Sequence, residues 1–318
     1  MSACHRYQVY GLVVESELPL SSVPAARSDS PPALTIRQGS DEYFRAIGPC
    51  EPSDPDDWVQ HAVLADGRIY LRADGVFEAT VGGRGETVVC RQLGNLDQRT
   101  LEANLLNFVI SASLTLRGEE PLHATVVEID GRAVGLLGHS GAGKSTLAAF
   151  MISRGSDLIT DDMLRVTFAN DTPLAHPGPY RLKLVGDAST RWLPEAMARG
   201  HFNSLRGKMM VQPREPALVR LDAVPLTALF HLAEPQAGTA PEPVSSRRLS
   251  GIDFARTIIS SAMDIRYAAP ERLARQLRFA DRLATRLPIY ELRYPRLVDA
   301  LPAVENEIRT RANTGARS

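Results

Sequence analysis

The sequence predicts an α/β fold with a β-rich N-terminal portion, and three observations predict it. Residues before about 100 carry short apolar segments broken by turn dipeptides. A helical period sets in at Thr100–Leu116. Beyond it the chain runs strand, glycine loop, helix, strand. The expected division is a β-rich domain over residues 1–115 and a second domain over residues 116–318.

The elements follow in order. Tyr7–Val14 is a first apolar run, and Leu34–Arg37, His61–Leu64, Arg68–Arg72, Val76–Val81 and Glu86–Arg91 are short strands. Asp66-Gly67, Asp74-Gly75 and Gly82-Gly83 supply tight turns, since aspartate and glycine tolerate the backbone angles that hairpins need. Arg27–Pro32 and Gly48–Asp57 are loop-like in composition. Leu101, Leu105, Phe108, Val109, Ala112 and Leu116 then mark one face of a helix. Ala124–Ile129 and Ala133–Leu137 read as a hairpin about Asp130-Gly131, Ser145–Arg154 as a helix stopped by Gly155, and Leu158–Thr160 as a strand ending at Asp161-Asp162. Val224–Leu232 and Ile289–Tyr294 are further strands, and Phe254–Met263 and Pro270–Ala284 further helices. Glu234–Pro243 reads as a flexible excursion. The polar C-terminal stretch is expected to lack structure.

Composition excludes several function classes. A net charge of −1 gives no electrostatic grip on nucleic acid or acidic membrane, and no window is apolar enough for a span. Cys4, Cys50 and Cys90 are an odd, scattered set, so neither a disulfide framework nor a metal pair is expected, and the location expected is cytoplasmic. The basic residues are nearly all arginine; the lysines are Lys144, Lys183 and Lys208. A lysine in such a chain marks a place where a compact ammonium is wanted.

Gly138-His139-Ser140-Gly141-Ala142-Gly143-Lys144-Ser145 fits G-x-x-x-x-G-K-[ST], the phosphate loop, at every fixed position, with Thr146 next. Its glycines let backbone N–H groups converge on phosphate oxygens, and the following helix adds its positive end. Lys144 would bridge the terminal phosphates and Ser145 would ligate Mg²⁺, so ATP or another nucleoside triphosphate is expected with Mg²⁺. Transporter ATPases share this loop wording, but Leu249–Asp253 lacks their second signature.

Asp161-Asp162 lies one helix and one strand beyond the loop. In a parallel sheet with right-handed crossover, that spacing returns both carboxylates to the loop's edge. One could hold the metal, and the other could accept the proton of an attacking hydroxyl. His123 stands ahead of the loop, where a lone histidine is as readily a packed residue as a functional one.

Pro121-Leu122-His123, Gly138–Ser145, Arg154-Gly155 and Asp161-Asp162 together resemble the kinase domain of HPr kinase/phosphorylase, a family related in fold to phosphoenolpyruvate carboxykinase. The resemblance implies that the second domain is a P-loop kinase domain of that type and that the acceptor is a serine of a protein or peptide. It also implies that Asp161 accepts the proton, that Asp162 and Ser145 hold the metal, and that His123 orients Asp161. Two departures stand out. Thr146 occupies the place of a family glutamate, and Tyr180-Arg181-Leu182-Lys183-Leu184 lacks the glycine of the phosphorolysis signature, so phosphorylase activity is not expected. Tyr10-Gly11-Leu12 and Ser16–Leu20 resemble a divergent HPr-kinase-related branch, some of whose members phosphorylate lasso-peptide precursors.

Arg206 and Lys208, in a polar basic loop, are candidates for extra positive charge on the nucleotide's terminal phosphate. His176–Pro179 reads as a rigid turn, and the arginines between Arg266 and Arg286 as a solvated face. Other readings are a nucleotide-binding switch or hydrolase without an acceptor, and a small-metabolite kinase; a homo-oligomer is compatible with any of them.

Overall fold

Tyr7–Val14 is one apolar run in the sequence but two strands in space. In the computed structural model, β1 (His5–Val9) and β2 (Leu12–Ser16) form a hairpin about Tyr10-Gly11, both with positive φ, 52° and 69°. Two positive φ values in a two-residue loop match the right-handed twist of the flanking strands. The sequence hid this turn because tyrosine is not a turn residue. The structure describes residues 4–48, 58–185, 187–203, 207–213, 219–234, 243–263 and 269–315.

The chain forms two compact units that divide between Glu119 and Glu120. In the first, β3 (Leu34–Gln38), α1 (Asp41–Ile47), β4 (Gln60–Val63), β5 (Ile69–Ala73), β6 (Phe77–Val81) and β7 (Thr87–Gln92) follow the opening hairpin. The sheet order is β1-β2-β3-β7-β6-β5-β4, with parallel pairing at β2–β3 and β3–β7. Strands β4 to β7 form an antiparallel meander whose connections hold Asp66-Gly67, Asp74-Gly75 and Gly82-Gly83. The helical period then gives α2 (Gln98–Asn104) and α3 (Ile110–Leu116), joined through a π-helical turn at Leu105–Val109.

Helix α2 carries a buried carboxylate. Glu102 accepts hydrogen bonds from Ser21 N (2.7 Å), Ser21 Oγ (2.8 Å), Ser22 N (2.7 Å) and Ser22 Oγ. Removing this acceptor strands the buried backbone donor of Ser22 and leaves that of the exposed Ser21 to water. Glu102→Ala is therefore expected to destabilise this unit by about 2–5 kcal/mol in chemical denaturation, with a smaller loss for Glu102→Gln. A change below about 0.5 kcal/mol would show that water replaces the carboxylate there.

The second unit opens with β8 (Ala124–Ile129), β9 (Arg132–Leu137), α4 (Lys144–Ser153) and β10 (Asp157–Thr160). Then come β11 (Val166–Ala169), β12 (Thr172–Ala175), β13 (Leu182–Leu184), α5 (Asp187–Trp192), α6 (Pro194–Ala198), β14 (His201–Asn203) and β15 (Lys208–Val211). β16 (Val224–Leu232), β17 (Ser245–Arg248), α7 (Gly251–Ser260), α8 (Pro270–Ala284), β18 (Ile289–Arg293) and α9 (Leu301–Gly315) complete it. The large sheet runs β10-β8-β9-β16-β12-β11, with β18 also on β16 and β17 on β18; β13-β15-β14 form a small separate sheet.

The expectation of a parallel sheet needs correction. β9, β16 and β18 run parallel, but β8 is antiparallel to both of its neighbours, β9 and β10. The double reversal leaves β10 pointing the same way as β9, so Asp161 still leaves the sheet at the edge where the glycine loop begins. The alternation of side chains sends each face of the sheet to a different core. Val127, Val134 and Leu136 pack with Leu147 and Met151 of α4 and with Val304 and Ile308 of α9. Val126, Ala133 and Leu137 pack with Phe254 and Ile258 of α7 and with Ala280 and Leu283 of α8.

Two further expectations are overturned. The C-terminal stretch is helical: Leu301, Val304, Ile308 and Ala312 recur at helical spacing and are buried, a period masked by the charged residues between them. The arginines of α8 do not all face solvent. Arg272 is 2% exposed, donates from Nε to Glu120 Oε2 at 3.1 Å, and shares that carboxylate with Arg275. A guanidinium survives such burial because a fixed carboxylate answers its planar donors. Arg206, residues 49–57 and most of Glu234–Pro243 lie outside the described residues. No helix among the described residues is long and apolar enough to cross a membrane.

Candidate active site

The loop between β9 and α4 is shaped by its glycines. Gly138, Gly141 and Gly143 have φ of 141°, 89° and 91°, in the region that side chains disfavour, and Gly143 caps α4 in a left-handed conformation. The amides that open α4, at Lys144, Ser145 and Thr146, have no carbonyl within the helix to receive them, so they remain donors at its positive end. His139, Ser140 and Gly141 are exposed at the loop's crest, and His139 Nε2 lies 3.2 Å from Glu234 Oε1.

Lys144 folds back beneath this crest. Its Nζ donates to Gly138 O (2.7 Å) and His139 O (3.0 Å) and lies 3.1 Å from His123 Nε2. Burial pushes the Lys144 ammonium pKa down, with the charge of Lys208 acting in the same sense, while Asp161 and Asp162 oppose it. The His123 ring faces Asp162 O through Nδ1 at 2.9 Å. A neutral imidazole with its proton on Nδ1 satisfies both contacts: it donates to Asp162 O and accepts from Lys144. Burial, and then the Lys144 charge, lower the His123 pKa and favour that neutral form.

Asp161 is 5% exposed and anchored on three sides. Oδ1 accepts from Thr125 Oγ1 (2.6 Å) and Ser145 Oγ (3.3 Å), and Oδ2 accepts from Lys183 N (2.9 Å). Burial first, and then the neighbouring Asp162, raise its pKa. Asp162 adopts a left-handed φ of 71°, a backbone conformation that non-glycine residues rarely take. Burial pushes the Asp162 carboxyl upward, but the ammonium of Lys183, in direct ion pair with it, outweighs this together with His123 and Arg181 and holds it well below the usual range.

The structure thus brings together Gly138–Ser145, His123, Asp161 and Asp162. His123 makes its hydrogen bonds to Asp162 and Lys144 rather than to the Asp161 carboxylate. Thr146 sits in the first turn of α4. Lys208 opens β15, in a hairpin with β14 rather than in an irregular loop. Sequence reasoning missed Thr125, on β8, only two residues after His123. Lys183, singled out by the rarity of lysine as a candidate for the transferring phosphate, is instead engaged with the two aspartates. Among the described residues no group of three or more His, Cys, Asp or Glu side chains could hold a metal ion. A cation bound beside Ser145 and Asp161 would take its remaining oxygens from a ligand or from water.

Residues 115–183 match the HPr Serine kinase C-terminal domain family. That span contains His123, the glycine loop and both aspartates. Residues 115–183 are HPr-kinase-like. Against the HPr kinase/phosphorylase of Lactobacillus johnsonii it is 33% identical over 89 residues, which is 26% of this chain and 28% of that protein. The match therefore spans little more than a quarter of the curated relative's length. The HPr(Ser) kinase/phosphatase structure from Coxiella burnetii aligns over 60% of this chain and 94% of its own at 14% identity, with a TM-score of 0.32. In this HPr-kinase-like segment the parts lie in one place: loop lysine, helix-opening serine and paired carboxylates are within linked hydrogen-bond reach.

Proposed function

We propose that the chain is a kinase that transfers the γ-phosphoryl group of ATP, with Mg²⁺, to a serine hydroxyl of a peptide or protein. The observation that carries this reading is the split environment of the aspartate pair. One carboxylate is tied to the helix-opening Ser145, and the other is held in an ion pair by Lys183. A hydrolase or switch needs one carboxylate beside the metal; transfer to a hydroxyl also uses a second, set to orient the acceptor.

Gly138 to Thr146 would form the phosphate loop, with Lys144 on the terminal phosphates. Mg²⁺, when bound, would offset the negative charge of those phosphates. A hydroxyl and a carboxylate are hard oxygen donors suited to it, and such sites draw their other oxygens from phosphate and water. The family resemblance gives Asp162 and Ser145 to the metal and the acceptor proton to Asp161. The hydrogen bonds favour a second reading with the two aspartates exchanged: Asp161 shares the metal side with Ser145, and Asp162 faces the acceptor. His123 then fixes the Asp162 backbone and the Lys144 ammonium through one ring.

The acceptor class follows the family, whose named members act on the protein HPr; a lasso-peptide precursor is the alternative that the N-terminal resemblance favours. The test is incubation with γ-labelled ATP, Mg²⁺ and each of the two acceptors. Stable label on a serine is expected. Free phosphate alone would favour a hydrolase or switch, and label on a small hydroxylated metabolite would move the acceptor class. Supplying phosphorylated acceptor with inorganic phosphate is expected to release no pyrophosphate, because Thr146 replaces the family glutamate and Tyr180–Leu184 lacks the phosphorolysis glycine. Pyrophosphate formed at a rate near that of the forward reaction would overturn the one-way assignment.

A further inference from the structure

All three lysines of this arginine-rich chain stand at one site, although they lie far apart in sequence. Two have visible occupations. Lys144 serves the loop carbonyls and His123. Lys183 touches both aspartates, donating its backbone N–H to Asp161 and pairing its ammonium with Asp162. Lys208 has no carboxylate partner among the described residues, yet its charge is felt at Lys144.

The small sheet explains how Lys208 comes to be there. Lys183 on β13 pairs with Met210 on β15, and Lys208 precedes Met210 by two residues. Paired residues, and residues two apart on a strand, project to one face. Leu182, Leu184 and Val211 occupy the opposite face and enter the core. Lys183, Met210 and Lys208 therefore share the face that holds the aspartates. Asn203, paired with Lys208, is 4% exposed, and its Oδ1 is buried with no hydrogen-bond partner among the described residues. An ammonium near enough to act on Lys144, with no carboxylate partner among the described residues, is repelled unless a ligand supplies the charge.

Building on the kinase reading, we propose that Lys208 contacts the transferring phosphoryl group itself, while Lys183 is a positioning residue that holds Asp162. The small sheet is then a further wall of the site. Lys208 meets charge that ATP carries and ADP lacks. Lys183 is already committed to a carboxylate and adds little to nucleotide affinity.

The experiment is calorimetric binding of Mg-ATP and Mg-ADP to the full chain and to Lys208→Met and Lys183→Met. Lys208→Met is expected to weaken ATP at least about tenfold and ADP by less than about twofold, as for one charged hydrogen bond lost to the terminal phosphate. Lys208→Arg should recover part of the ATP affinity, and ADP binding reports that each variant is folded. Lys183→Met should bind both nucleotides as wild type does but lose transfer to acceptor, a fall in turnover without a fall in affinity, with Lys183→Arg restoring part of it. Equal weakening of ATP and ADP by Lys208→Met, or no weakening, would overturn the assignment while leaving the kinase reading intact. The same holds if Lys183→Met weakens ATP selectively. Wild-type protein that binds neither nucleotide would overturn both.

Discussion

Lys144→Ala is expected to lower phosphoryl transfer at least ~10²-fold while leaving the protein folded. Its ammonium sits in a buried position where electrostatic contacts are strong, beneath the loop that would hold the terminal phosphates. Burial pushes its pKa down, and a bound polyphosphate would oppose that shift by favouring the charged form. Removing the side chain also releases Gly138 O and His139 O, two part-buried carbonyls of the loop. The cost to stability should therefore be about 1 kcal/mol, well below the effect on transfer. Circular dichroism and thermal melting establish the fold, and initial rates of acceptor labelling give the loss. Near-wild-type transfer by a folded variant would remove Lys144 from the chemistry.

The second large effect separates the aspartates. On the exchanged assignment, Asp161→Asn should weaken Mg²⁺-dependent nucleotide binding together with transfer. Asp162→Asn should leave binding nearly intact and reduce turnover by ~10²–10⁴-fold, the range for a positioned acid–base group. The reason is geometric: Asp161 shares Oδ1 with Ser145, whereas Asp162, on a left-handed backbone, is held in an ion pair by Lys183. Nucleotide affinity measured across a Mg²⁺ titration, set beside turnover, distinguishes the two. The reverse pattern would restore the roles implied by the family resemblance. Equal loss of binding in both variants would make the pair a metal site and place the acid–base group elsewhere.

The sequence by itself determined the parts that depend on short-range pattern. The G-x-x-x-x-G-K-S spacing, the Asp-Gly and Gly-Gly turns, and the apolar periods of α2, α3, α7 and α8 are local, and each needs only neighbouring residues to specify it. His123 and Asp161-Asp162 were legible because they flank strands that must enter the same sheet. Tertiary structure alone decided what depended on distant partners. The Asp130-Gly131 hairpin already made β8 antiparallel to β9, but the pairing of β10 on the far side of β8 was set by burial of both faces and not by any residue of its own. The C-terminal segment became a helix because β8, β9 and β16 left an apolar face for Leu301, Val304 and Ile308 to cover. Arg272 could be buried only because Glu120, far away in sequence, was there to meet it. The environments of the two aspartates were likewise beyond the sequence. Two adjacent carboxylates look alike in a row of letters, and they become different groups only when one backbone φ turns positive and Lys183 arrives from another sheet.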